Sequence, residues 1–230
     1  MQDIQLSFQT VKERIETACK RAQRDPKDVE IVAVTKYVSL ETTKRALDEG
    51  IIHLGESRVQ DAVPKWEALG DRATWHFIGH LQTNKVKDVI GRFSFIHSLD
   101  RLSLAEEIEK RGQQKEIVTN CFIQVNISGE ETKFGLQPNQ VLEFVKETSK
   151  MKYINLCGLM TMAPYESVPE QTRVVFKRLR ELRRELNELH LPNVQLQHLS
   201  MGMSNDFEVA IEEGATFIRL GSILVGNETK

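Results

Sequence analysis

The chain has 230 residues, with 31 basic against 33 acidic side chains, a net charge of -2 and 40% hydrophobic residues. That apolar fraction fills a sizeable core, and the balanced charge, with no basic block or basic-aromatic stripe, argues against a nucleic-acid partner. The opening MQDIQLSFQTVKERIETACK carries acids and lacks the apolar core of a signal peptide, and no run approaches a transmembrane span, so a cytoplasmic protein without membrane contact is expected.

From Ile4 to Arg24 the chain reads as an amphipathic helix, with Leu6, Val11, Ile15 and Ala18 near helical spacing until Asp25 and Pro26 stop it. The run IVAVTK, Ile31 to Lys36, is a short β-branched stretch of the kind that makes a fully buried strand, and Ser39 is placed to cap the next helix. That helix, marked by Leu40, Thr43 and Leu47, ends at Gly50, and Ile51 to Leu54 is a second strand. GESRVQDAVPKWEALG is helical in pattern, with Pro64 expected to kink or restart it. Thr74 to Ile78 is the third strand, Asn84 to Ile90 a helix, Phe95 to Ser98 the fourth strand, and LSLAEEIEKRG a helix ending at Gly112. Thr119 to Ile127 is the fifth strand, followed by the loop SGEETKFG and a helix from Asn139 to Lys150; Ile154 to Met162 is the sixth. The longest helix lies between Pro169 and Leu189, where Val175, Leu179, Leu182, Leu186 and Leu189 form a stripe too short for several heptads but suited to covering a sheet. LQHLS, ending at Ser200, is the seventh strand, Phe207 to Glu213 a short helix, and Phe217 to Leu220 the eighth strand.

Strict strand-helix alternation implies a parallel sheet, and eight such units predict a single α/β domain over residues 1–230, closed as a (β/α)8 TIM barrel. No helix is expected after the eighth strand, so the N-terminal helix should fill the vacant place outside the last and first strands. An open Rossmann-like sheet is the alternative, but no G-x-G-x-x-G follows the first strand. Cys19, Cys121 and Cys157 are odd in number and form no C-x-x-C pair, which points to buried reduced thiols.

Lys36 stands at the C-terminal mouth of the first strand, the functional face of such a barrel. A partly desolvated ammonium there would have a lowered pKa and free the neutral amine that attacks carbonyls, although a lysine just past a buried run is more often a solvated surface residue. The loops after strands seven and eight, where barrels commonly hold phosphate, read SMGMSND and GSILVG: Ser200, Ser204 and Ser222 offer hydroxyls, and Gly202 and Gly221 let backbone N–H groups approach an anion. Arg219, inside the apolar run FIRL, needs either a carboxylate such as Asp206 or Glu208 or a place at the barrel mouth. A lysine for an aldehyde, a phosphate cradle and an arginine near a heteroaromatic nitrogen together describe a pyridoxal 5'-phosphate site.

VAVTK, HLGESRVQ, WHFIGHLQTNK, the K-x-G of TKFGL, GLMTMAP and LSMGMSNDFEVAIEEGATFIRLGSILVG resemble the pyridoxal phosphate homeostasis protein family, single-domain relatives of the alanine racemase barrel. The resemblance covers nearly the whole chain. It implies a cofactor-binding barrel without an established reaction, keeping vitamin B6 and amino-acid pools in balance. Lys36 would then carry the cofactor as a Schiff base, with Ser200, Gly202, Met203 and Gly221 around the phosphate and Ser204 and Ser222 alongside. Arg219 would face the pyridine nitrogen, and Asn84 and Met160 would line the pocket. The sequence departs from the family at Ser57, where asparagine is usual, and at Val225-Gly226, where Phe-Gly is usual.

The expectation is a monomeric carrier or buffer of pyridoxal phosphate, serving apo-enzymes and having little or no catalysis of its own. A racemase-like enzyme would need a second proton-transfer group opposite the lysine; Tyr37 adjoins Lys36 along the chain, whereas Tyr153 and Tyr165 stay open as candidates. A cofactor-free Schiff-base aldolase acting on a sugar phosphate would use the same lysine and cradle. An interaction module would use Lys133 in an exposed loop and the charged face of the long helix. A metal-dependent hydrolase would draw on His53, His76, His97 and His198, which lie in or near strands, but no H-x-H pair or spaced carboxylate accompanies them, and satisfied core imidazoles are expected.

Overall fold

Eight short β-rich segments find their backbone partners in one another, in sequence order. The computed structural model describes residues 3–130, 132–164, 168–192 and 194–228. Its strands are β1 (Glu30–Val34), β2 (His53–Glu56), β3 (Thr74–Phe77), β4 (Phe95–Leu99), β5 (Thr119–Gln124), β6 (Ile154–Met160), β7 (His198–Ser200) and β8 (Phe217–Leu220). Each pairs in parallel with the next and β8 returns to β1, closing a barrel rather than leaving an open sheet. The helices are α1 (Ile4–Ala22), α2 (Leu40–Asp48), α3 (Val59–Leu69), α4 (Val86–Val89), α5 (Leu102–Lys115), α6 (Val141–Thr148), α7 (Arg173–Glu188), α8 (Phe207–Glu212) and α9 (Ser222–Val225).

The N-terminal helix takes the expected place. Asp3 caps α1 through Leu6 N–H, and the helix buries Ile4, Val11, Ile15, Ala18 and Cys19. Arg14 and Arg21 fasten it to α8 through Glu208 and Glu212. One turn, α9, nevertheless follows β8, where no helix was expected; its four residues are too few to show a periodicity. Pro64 does not interrupt α3, because at the sixth residue it forfeits a single backbone bond while Val59, Ala62 and Leu69 stay buried around it. Gly112 is not a stop signal: it lies inside α5, where a Cβ would stand 2.5 Å from that of Tyr153, and the helix ends instead on Glu116 in the left-handed region. β2 starts two residues late because Ile51 N–H is spent on Ala46 O beyond α2. β5 and β6 also stop short of the predicted ends, at Gln124 and Met160.

Strand alternation divides the apolar residues into two sets. One packs between sheet and helices; the other, Val32, Phe122, Cys157, Met160 and Phe217 with Phe95 and Met162 against them, fills the barrel. All three cysteines are buried and reduced, and burial pushes the Cys121 thiol far up. Among the described residues, no helix is long and apolar enough to cross a membrane.

Candidate functional site

β1 leaves the ladder at Val34, so Thr35 turns outward and Lys36 inward at the C-terminal rim. A 260 Å³ pocket opens there, lined by Val34, Lys36, Tyr37 and Pro164, by Met203 to Asp206 after β7, and by Arg219, Gly221 and Ser222 of β8 and its loop. Lys36 is half-buried, its Nζ 4.7 Å from the centre of the Tyr37 ring. Of the residues expected at the site, Lys36, Met203, Ser204, Arg219, Gly221 and Ser222 share this pocket. Ser200 and Gly202 lie directly behind its β7 loop, whereas Met160 belongs to the barrel filling and Asn84 is an exposed residue of the turn after β3. Gly202 has φ +92, and a Cβ there would stand 2.6 Å from Ala210 Cβ, so glycine lets α8 close against the loop.

Arg219 is only 4% exposed and pairs with neither acid proposed for it. Glu208 is taken by Arg14, and Asp206 accepts the Met203 N–H at 2.6 Å. The guanidinium instead donates to Ser200 Oγ at 2.5 Å and Thr161 O at 3.0 Å, which aims it at the pocket. Burial lowers its pKa to about 10, leaving it a cation at neutral pH. Burial likewise raises the Asp206 pKa, against the opposing pull of the Met203 N–H and the Arg219 charge.

A second cluster, absent from the sequence reading, braces the lysine from outside the barrel. Glu56, fully buried at the end of β2, accepts from Thr35 Oγ1 at 2.6 Å and Lys65 Nζ at 2.8 Å, and the same ammonium reaches Thr35 O at 2.6 Å. The signal was available: Lys65 stands in line with Ala62 and Leu69 on the buried face of α3. Lys65→Met keeps the stem but leaves Glu56 a buried carboxylate facing one hydroxyl. The expected loss is about 3 kcal/mol in urea unfolding, partly recovered by adding Glu56→Gln; an unchanged midpoint would contradict the pairing. Glu228 adds a strap, taking Ser39 N–H and Thr42 Oγ1 while its own N–H reaches Tyr37 O.

The other expected residues are elsewhere. Tyr153 immediately precedes β6, at the end of the barrel opposite Lys36, and Tyr165 lies outside the described residues. Lys133 is not a free loop cation: 20% exposed, it pairs with Glu130 at 2.7 Å. His53, His76 and His97 hydrogen-bond in series instead of converging on a point, and no group of three or more metal-binding side chains occurs among the described residues. Ser57 lies outside the Lys36 pocket, its carbonyl pressed against Gly79, while Gly226 of the other departure lines the pocket.

Residues 6–229 match the alanine racemase N-terminal domain. The pyridoxal phosphate homeostasis protein of Aquifex aeolicus is 48% identical over 94% of each chain. The chain belongs to the pyridoxal phosphate homeostasis protein family. A solved structure of a relative, PipY of Synechococcus elongatus with PLP bound, superposes at a TM-score of 0.82 with 33% identity, covering 94% of this chain and all of that one. An alanine racemase of Clostridium difficile, at 18% identity and a TM-score of 0.71, shares the fold; 93% of this chain covers 56% of that one.

Proposed function

We propose that this family member binds pyridoxal 5'-phosphate in the Lys36 pocket and carries or buffers it for cofactor-dependent apo-enzymes, with little or no turnover. The observation that carries the reading is that the Lys36 amine and the Arg219 guanidinium line one pocket together with the glycine- and serine-bearing loops after β7 and β8. This donor set fits a flat heteroaromatic aldehyde bearing a phosphate. Lys36 supplies the amine for the aldehyde, Ser204, Gly221 and Ser222 the hydroxyl and backbone donors for the phosphate, and Arg219 a fixed cation for the ring nitrogen. Ser200 and Gly202 act from behind, by holding Arg219 and shaping the loop, and Met160 contributes to the floor. The names of the relatives support the same reading.

Bound pyridoxal phosphate supplies an electron sink for carbanion chemistry, and a cation beside its ring nitrogen disfavours the protonation that deepens that sink. Tyr153 stands too far from Lys36 to act as an opposing base. Both points favour a carrier over a racemase. The setting we assign is the cytoplasm, as a monomer. The test is the absorption spectrum of freshly purified protein, then borohydride reduction and peptide mass mapping. A yellow protein whose reduced adduct maps to Lys36 is expected; a colourless protein that added pyridoxal phosphate does not convert would overturn the reading and favour the cofactor-free aldolase.

A further inference from the structure

Three imidazoles outside the pocket run through the barrel in single file. The register sets them as a staircase: His53 lies beside Thr74, Gly55 beside His76, and His76 beside Phe95, so each histidine stands two residues above the one before. Two residues of strand rise roughly 6.7 Å, which an imidazole with a hydrogen bond at each nitrogen can bridge. His53 Nδ1 is 2.9 Å from His76 Nε2, His76 Nδ1 is 2.8 Å from His97 Nε2, and His97 Nδ1 is 2.8 Å from Ser200 Oγ, the atom that Arg219 holds. At the lower end His53 Nε2 lies 3.4 Å from Glu30 Oε2. Phe95 stacks on His76 and Phe122 on His97, with Phe217 against both rings.

The carboxylate end sets the direction of the links through neutral rings, because Glu30 can only accept and so calls for a hydrogen on the facing His53 Nε2. Ser200 Oγ accepts from Arg219 and gives its own hydrogen to His97 Nδ1. His97 then donates from Nε2 to His76, His76 from Nε2 to His53, and His53 turns its Nε2–H toward Glu30 at 3.4 Å. A single neutral tautomer, protonated at Nε2 in all three rings, satisfies every ring nitrogen. An added proton sets two donors face to face.

We propose that His53, His76 and His97 are positioning residues for the pocket: a polarised relay that holds the Ser200 hydrogen on His97 and so orients the hydroxyl's lone pair toward Arg219, so that the guanidinium's hold in the pocket depends on Glu30 at the opposite end of the barrel. The ligand in this statement rests on the pyridoxal phosphate reading; the tautomers do not. The titratable and charged groups around the file are Glu30 of β1, Cys157 of β6, His198 of β7 and Arg219 of β8, with Arg183 and Asp206 behind them. Burial lowers the pKa of all three imidazoles, in keeping with neutral rings.

Nitrogen-15 NMR of the ligand-free chain at pH 7 tests the relay, expecting the Nε2–H tautomer in all three rings; an Nδ1–H tautomer or an imidazolium at any of them would overturn it. Glu30 is half-exposed, which permits substitution. Glu30→Lys puts a donor where the file needs an acceptor. It should flip at least one ring to Nδ1–H, shift the Arg219 Nε–H resonance and weaken pyridoxal phosphate binding about fivefold. Glu30→Gln, which still offers an acceptor, should restore the wild-type pattern. In a Ser200→Ala background Glu30→Lys should no longer move the Arg219 resonance. If wild type takes up no pyridoxal phosphate, the functional reading falls, and the tautomers and the Arg219 resonance still decide the relay. An Arg219 resonance and tautomers unchanged in Glu30→Lys would refute it.

Discussion

Lys36→Ala is expected to yield a folded, colourless protein from which borohydride fixes no adduct. Lys36 lies beyond the end of β1 and is half-buried, so its removal opens no core cavity. It is also the one lysine among the described residues lining the pocket, so no amine remains there to attack an aldehyde. The donors after β7 and β8 are untouched. Non-covalent binding should therefore survive at an affinity about 100-fold lower, equivalent to about 2.7 kcal/mol, measurable by equilibrium dialysis. Recovery of the same reduced adduct from the variant would remove Lys36 from the site.

Acid should weaken the fold well above the range in which carboxylates titrate. His76 and His97 are fully buried, and burial depresses both pKa values well below the ordinary histidine value. The unfolded chain takes up protons near pH 6.5 that the folded chain refuses. The stability these groups support is thus present above that pH and lost as the pH falls beneath it. Each contributes roughly 1.4 kcal/mol per pH unit, so the pair should cost about 4 kcal/mol between pH 6.5 and pH 5. Urea unfolding at pH 7.5 and pH 5 measures the difference. Equal stability at the two values would mean that the rings accept protons inside the barrel.

The architecture was legible because alternation of strand and helix is a property of the chain itself, and a closed parallel sheet follows from it. Boundaries were less so where one residue type serves two ends. Gly112 looks like a helix stop and is a packing position under Tyr153; Pro64 looks like a break and costs one bond. The rim residues Lys36 and Arg219 stood out because each is a charge at the edge of an apolar run. Glu56 and Lys65 did not, since each alone resembles a surface charge and only the docking of α3 on β2 brings them within 2.8 Å. The histidines could be placed on strands but not joined, because the two-residue offsets that align them are set by interstrand register. Asn84, expected in the pocket, lies exposed in the turn after β3, where no strand pairing directs it inward.

The strap formed by Glu228 bears on the order of events during synthesis. The pocket joins residues far apart in the sequence: Lys36 and Tyr37 just after the first strand, Arg219, Gly221 and Ser222 of the last strand and its loop, with Glu228 holding the loop after β1. Lys36 leaves the ribosome well before Arg219, Gly221 and Ser222, which complete its surroundings. No ligand that needs both can be captured before β8 and its loop have emerged. Loading is therefore a property of the closed barrel, reached only after the long-range pairing of β8 on β1 has formed.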